Sequence, residues 1–119
     1  MTLMAYAFPI QPGKTSAWRQ WAAELNGPRQ REFAASRERV GIHERTFLQQ
    51  SPQGDMVIIT LEGDDPADAF GRMMGSSDPF TTWFLERVKE FHGIDPAQLE
   101  KAASPALVVD SEAVPVAAR

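Results

Sequence analysis

The sequence predicts a single α+β domain with the element order βαββαβ and a four-stranded antiparallel sheet. Its 119 residues are enough for one domain with a real core and too few for two. Short apolar runs of strand length alternate with longer segments of helical periodicity. Proline and glycine separate these segments where the chain must turn. We expect the domain to span residues 1–110 and a disordered tail to follow over residues 111–119.

The composition excludes several classes of protein. A net charge of -4 leaves no broad basic surface, so nucleic acid is not an expected partner. The chain has no cysteine, which excludes disulfides, thiolate nucleophiles and sulfur-ligated metals. No run approaches the roughly 18 apolar residues that a membrane span needs, and no secretion signal is recognisable. We therefore expect a cytoplasmic protein that does not associate with membranes.

The first half of the chain predicts strand, helix, strand and strand. Residues 3–10 form an apolar run that ends at Pro12-Gly13, and helical periodicity begins near Thr15. The sequence Asn26-Gly27-Pro28 predicts a break, after which a polar helix continues to about residue 39. Residues 42–50 predict an edge strand because they carry several charges. Residues 56–61 are continuously apolar and predict a central strand.

Three Asp-Pro pairs punctuate the second half. Asp65, Asp78 and Asp95 each precede a proline and suit the N-cap of a helix. Gly93 predicts a left-handed C-cap at the end of the second of these helices. Residues 106–109 are a short apolar run and predict the fourth strand.

The predicted order places the first and third strands in the middle of the sheet, by the right-handed crossover rule. Both of these strands are apolar on both faces, but helices can cover only one face of such a sheet. A second copy of the chain is the simplest cover for the other face. The sequence therefore predicts a homodimer that associates through its sheet faces.

This chain resembles the ferredoxin-like, dimeric α/β-barrel superfamily, and more closely a small bacterial family of unassigned function within it. The residues that carry the resemblance are Pro12-Gly13-Lys14, the helix with Trp18 and Trp21, the hairpin over residues 49–61, Asp78-Pro79, and the segment FLERVKEFHGID over residues 84–95. The resemblance implies a dimeric α/β barrel whose ligands sit between the sheet and the helices. It also implies a function of one of the kinds found in that superfamily, whose members include cofactor-independent monooxygenases, haem-degrading enzymes, muconolactone isomerase-like proteins, haem-peroxidase relatives and stress-responsive proteins.

Haem-degrading members of that superfamily use an asparagine on the first strand together with a tryptophan and a histidine. Trp83 and His92 have a similar separation here, but the first strand offers Tyr6 and no asparagine. This departure argues against haem degradation. The two histidines are far apart and no carboxylates are grouped near them, so the sequence predicts neither a cofactor nor a metal ion.

Five residues are candidates for a ligand pocket: Tyr6, His43, Arg45, Trp83 and His92. His92 lies in the last turn of a predicted helix, where a protonated ring could bond to free carbonyls. His43 and Arg45 share one face of the predicted edge strand, with Glu44 on the other face. Either that face is solvated, or His43 acts there as a general base beside the cationic Arg45. Tyr6 suits a strand interior, but its hydroxyl needs a protein partner or a ligand.

Two larger groups of residues leave alternatives open. The aromatic and methionine residues either fill the core or line an apolar cleft for an aromatic ligand; they are Trp18, Trp21, Met73, Met74, Phe80, Trp83 and Phe84. The arginines interleave with glutamates, which favours surface ion pairs, and a rim that binds carboxylate or phosphate is the alternative; they are Arg29, Arg31, Arg37, Arg39 and Arg45.

Two functional hypotheses follow. The first is a dimeric protein that binds a small ligand or has a structural role. The second is a cofactor-independent monooxygenase or isomerase that acts on an aromatic or polyketide-like substrate. A cavity of at least roughly 300 Å³ beside one of the candidate side chains would separate a binding protein or enzyme from a filled core.

Overall fold

The computed structural model describes residues 1–95, Gln98 and residues 105–112. Its elements in chain order are β1 (Thr2–Pro9), α1 (Thr15–Asn26), α2 (Gln30–Val40), β2 (Ile42–Gln49), β3 (Met56–Gly63), α3 (Pro66–Met74) and α4 (Pro79–His92). The helix predicted after Asp95 and most of the predicted tail lie outside the described residues.

The strands form an antiparallel sheet in the order β1-β3-β2. The predictions of an α+β architecture, a central β3 and an edge β2 are therefore confirmed, whereas β1, which is predicted in the middle, lies at an edge of the described sheet. The described residues form three strands, and the four-stranded order is not formed, because residues 106–109 adopt no strand. Leu107, Val108 and Val109 are 70%, 85% and 83% exposed. Four apolar residues are too few to distinguish a strand from an apolar coil, which is why the prediction of a fourth strand is wrong.

The two faces of the sheet have different surroundings. Tyr6 and Leu61 point toward the helices and are buried, as strand alternation requires. Leu3 and Phe47 point away from the helices and are 50% and 53% exposed. The outer face of β1 and β3, which the sequence predicts to be covered, is thus open to solvent in the single chain.

Aspartate caps begin the two helices of the second half, as predicted. The Asp65 carboxylate accepts a hydrogen bond from the Asp68 N–H at 3.1 Å, and Asp78 accepts one from the Thr81 N–H at 3.1 Å. Proline follows each cap, where its missing N–H costs nothing. Gly93 ends α4 in the left-handed conformation with φ 66°. None of the described helices has both the length and the apolarity that crossing a membrane demands.

Glycines set the geometry at both ends of α2. The predicted break at Gly27-Pro28 separates α1 from α2. At the other end, Gly41 adopts φ 74° and connects α2 directly to β2. A left-handed residue at this position reverses the chain in one step. The last turns of α2 and the first residues of β2 therefore lie side by side.

Two clusters of buried side chains fill the space between the sheet and the helices. One is built on the α1 tryptophans and the α4 phenylalanines, and the other on Tyr6, Leu61 and α3. Ile59 and Val88 pack against both clusters and connect them. The boundary between the two clusters thus runs along the middle of the inner face of the sheet, and we call this boundary the seam.

Candidate functional site

A cavity of about 440 Å³ lies at this seam, between the inner face of the sheet and the helices. All three strands and all four described helices contribute to its wall. Its large apolar lining residues are Phe8, Trp18, Trp21, Leu25, Phe33, Leu48, Val57, Ile59, Phe70, Met73, Met74, Phe84, Leu85 and Val88. The volume falls in the range of about 300–1,000 Å³ that is typical of small-molecule sites.

Helical periodicity explains why α1 and α4 dominate this wall. Trp18, Trp21, Ala22 and Leu25 recur at the spacing of one helix face and line the cavity together. The same spacing on α4 places three apolar side chains and His92 in the cavity wall. The two helices interlock through aromatic rings, since the Trp21 and Phe84 ring centroids are 4.9 Å apart.

The wall contains a buried ion pair. The Arg37 Nε donates to Glu44 Oε1 at 2.7 Å, and the two side chains are only 5% and 4% exposed. Arg37 Nη1 also donates to the Ser36 hydroxyl at 2.9 Å. The guanidinium carbon lies 4.8 Å from the ring centroid of Phe33 and 4.5 Å from that of Phe84. These contacts hold the guanidinium in a fixed position beside the cavity.

Three buried N–H groups in the cavity-lining residues have no hydrogen-bond acceptor in the described part of the chain. They belong to Arg37 Nη2, Trp18 Nε1 and Trp21 Nε1. A buried donor without an acceptor costs about 1–3 kcal/mol. Most native proteins leave few such groups, so three around one cavity call for an explanation.

His92 contributes the imidazole of the site. Its Nδ1 lies 2.8 Å from the Pro9 carbonyl oxygen, which can only accept, so Nδ1 carries the proton and Nε2 carries the lone pair. Burial lowers the pKa of His92 below its ordinary value of 6.5, and the hydrogen bond to Pro9 opposes that shift only in part. The sequence-based prediction of a protonated ring on the carbonyls of its own helix is therefore wrong: the ring bonds to β1, and burial favours its neutral form.

Two of the five predicted pocket residues line the cavity. His92 does so with a buried side chain. Arg45 also borders it, although its guanidinium lies 3.4 Å from the Glu62 carboxylate and its side chain is 47% exposed. Tyr6 lies in the neighbouring core cluster, where its ring stacks on Phe70 at 4.9 Å.

His43 and Trp83 lie elsewhere. His43 is exposed on the outer face of the sheet, on the face predicted from alternation. Trp83 packs against the first core cluster, with the Arg29 guanidinium carbon 4.0 Å from its ring centroid. The structure thus does not bring the five predicted residues together in one site.

Sequence reasoning missed the role of Arg37 and Glu44. The predicted surface ion pairs do form for Arg29 with Glu32 and for Arg39 with Asp78. Arg37 differs because it is buried. The sequence did contain one signal for this buried pair. Strand alternation places Glu44 on the inner face of β2, the same face as Ile42. A carboxylate at such a position needs a buried partner.

The comparisons with known proteins assign no family to this chain, so its function has to be inferred from the geometry of the site. No family model matches this chain, and no curated protein or solved structure does so either. Within residues 1–95, Gln98 and residues 105–112, no three His, Asp or Glu side chains come together as a metal site requires. The dimeric α/β-barrel resemblance therefore stays a prediction.

Removing one partner of the buried ion pair will destabilise the fold strongly. We expect Arg37→Met to lower the free energy of unfolding by about 3–5 kcal/mol, because the Glu44 carboxylate stays buried without a cation. The double variant Arg37→Met/Glu44→Met should regain most of this loss, since neither charge remains. Urea unfolding measures both. A double variant no more stable than the single one would contradict this reading, and Arg39→Met, in an exposed pair, is the control.

The low pKa of His92 makes stability depend on pH below neutrality. As pH falls through 6.5 the unfolded chain binds a proton that folded His92 resists, so stability is lost until the pH reaches the folded pKa. We expect His92→Gln to remove this component, whose slope is at most about 1.4 kcal/mol per pH unit. Urea unfolding between pH 7.5 and pH 5, two values set by this window, measures it. Equal slopes in His92→Gln, wild type and the exposed control His43→Gln would disprove it.

Proposed function

We propose that this protein binds a small, largely apolar molecule in the cavity between its sheet and its helices. The cavity of about 440 Å³ carries the proposal, because a merely structural domain has no need of so large a void in its core. Close packing is the rule in protein interiors, and voids are costly. A bound ligand offsets that cost by restoring the missing contacts.

The chemistry of the wall supports an apolar ligand with a few polar atoms. Aromatic and aliphatic side chains make up most of the lining, and the polar exceptions include Arg37, Glu44, Thr46 and His92. Ligand sites commonly combine a hydrophobic wall with a few fixed polar groups that set orientation.

A cofactor-independent isomerase or monooxygenase is the second candidate, and one observation favours it. His92 Nε2 carries a lone pair at the cavity wall, held by the bond from Nδ1 to Pro9. Such a nitrogen could take a proton from a bound substrate, and in an isomerisation the same nitrogen returns it to another carbon. Loss of turnover in His92→Gln with binding retained would support this candidate, and a substrate that is bound but never changed would exclude it.

A homodimer is part of the same proposal. On the outer face of the sheet, Ala7, Ile58 and Phe47 are paired across β1, β3 and β2 and form an apolar row. The next pairs toward the sheet end include Arg45 and Glu62, which carry opposite charges. A patch with an apolar centre and both signs of charge is complementary to a copy of itself turned by two-fold symmetry.

Filling the cavity will weaken ligand binding without unfolding the protein. The neutral fluorophore N-phenyl-1-naphthylamine should bind the wild type with enhanced emission and raise its melting temperature. Ala22 lines the cavity, so Ala22→Leu should weaken binding at least about tenfold by occupying ligand space. Ala17→Leu, an exposed change on the same helix, is the matched control. No binding to the wild type, or equal binding to both variants, would refute the site.

A charge on the outer face of the sheet will separate the proposed dimer. We expect the 13.2 kDa chain to sediment at twice its mass at micromolar concentration and Phe47→Glu to sediment as a monomer. The reason is that a carboxylate would be buried in the apolar centre of the contact. Gln49→Glu, at the exposed end of the same strand and face, is the control. A monomeric wild type would contradict the homodimer.

A further inference from the structure

We propose that the ligand is an uncharged, ring-containing molecule whose polar atoms are hydrogen-bond acceptors, with a carbonyl oxygen as the group that Trp18, Trp21 and Arg37 recognise. This inference rests on the proposed function, which states only that the cavity binds a small apolar molecule.

The donors in the wall outnumber the acceptors that they can reach. The N–H groups of Trp18, Trp21 and Arg37 Nη2 are buried and have no acceptor within the described residues. The side chains are 5%, 7% and 4% exposed, so bulk solvent has little access to them, and all three residues line the cavity. Small rotations of side chains on binding are common, and they would let these donors reach an oxygen in the cavity. These three donors therefore favour a ligand that offers them an acceptor.

The charges around the cavity already cancel. Arg37 is paired with Glu44 at 2.7 Å, and the Arg45 side chain points to the outer face of the sheet, where it is paired with Glu62 at 3.4 Å. The remaining titratable lining group, His92, is favoured in its neutral form by burial. A carboxylate in the cavity would add a buried charge with no free cation to match it, which is strongly unfavourable. A neutral carbonyl satisfies the same donors without that penalty.

The shape of the wall favours rings. Four aromatic rings contribute to the lining: those of Trp18 and Trp21, and those of Phe33 and Phe84, which flank the Arg37 guanidinium. Aromatic side chains pack well against planar groups in stacked or edge-on arrangements. A planar body with an acceptor at its edge fits both the apolar surface and the donors.

Three probes of nearly equal shape test the inference: fluorene, which has no acceptor; 9-fluorenone, which has one neutral acceptor; and fluorene-9-carboxylate, which is anionic. Each is titrated against the wild-type protein by displacement of N-phenyl-1-naphthylamine. We expect 9-fluorenone to bind at least about fivefold more tightly than fluorene, as one hydrogen bond allows, and the carboxylate to bind most weakly. In ¹H–¹⁵N spectra, the Nε1–H resonance of Trp18 or Trp21 should move with 9-fluorenone and not with fluorene.

Variants assign the preference to the donors. We expect at least one of Trp18→Phe, Trp21→Phe and the charge-neutral pair Arg37→Met/Glu44→Met to lower the 9-fluorenone preference, because a single carbonyl oxygen can bond to at most two of these donors. Trp83→Phe is the matched control, since Trp83 is absent from the cavity lining. Equal binding of fluorene and 9-fluorenone with unmoved indole resonances would overturn this inference and leave the proposed function standing. Tightest binding of the carboxylate would overturn it too, whereas no binding of any probe, the fluorophore included, would overturn the proposed function itself.

Discussion

The Arg37–Glu44 ion pair connects the last turns of α2 to the edge strand β2, and the cavity depends on its place there. Gly41 reverses the chain between them, so two residues seven positions apart in sequence can meet at 2.7 Å. Because both charges are buried, neither can leave without exposing the other to an apolar interior. The pair therefore fixes the position of α2 relative to the sheet. It also places the Arg37 guanidinium in the cavity wall without adding net charge, because the Glu44 carboxylate neutralises it.

The cavity arises from the way the core is divided. Tryptophan and phenylalanine rings from α1 and α4 form one cluster, Tyr6 and α3 form another, and Ile59 and Val88 connect the two. The cavity lies between these clusters, beside the contact at which the Trp21 and Phe84 rings meet at 52°. The unsatisfied donors beside this gap lower the stability of the free protein, a cost that binding sites often carry.

The sequence predicted local features well because they depend on neighbouring residues. The caps at Asp65 and Asp78, the left-handed Gly93 and the break before α2 all follow from backbone chemistry within a few positions. The fourth strand failed because pairing over residues 106–109 is a long-range property. The site was less predictable still. Strand alternation predicts that Glu44 and His43 point to opposite faces of the sheet, but only the tertiary packing shows that Arg37 is the ion-pair partner of Glu44.

The end of α4 is fastened to the end of β1 at three points. The Gln11 N–H donates to the Phe91 carbonyl at 2.7 Å, Gln11 Nε2 donates to the His92 carbonyl at 3.3 Å, and His92 Nδ1 donates to the Pro9 carbonyl. These bonds join residues 80 to 83 positions apart. During synthesis on a ribosome, the first strand must therefore wait for nearly the whole domain to emerge before this closure can form. Until then β3 and α3 can already cover the inner face of β1, so the Pro9 end of the strand is the last part of it to be fixed.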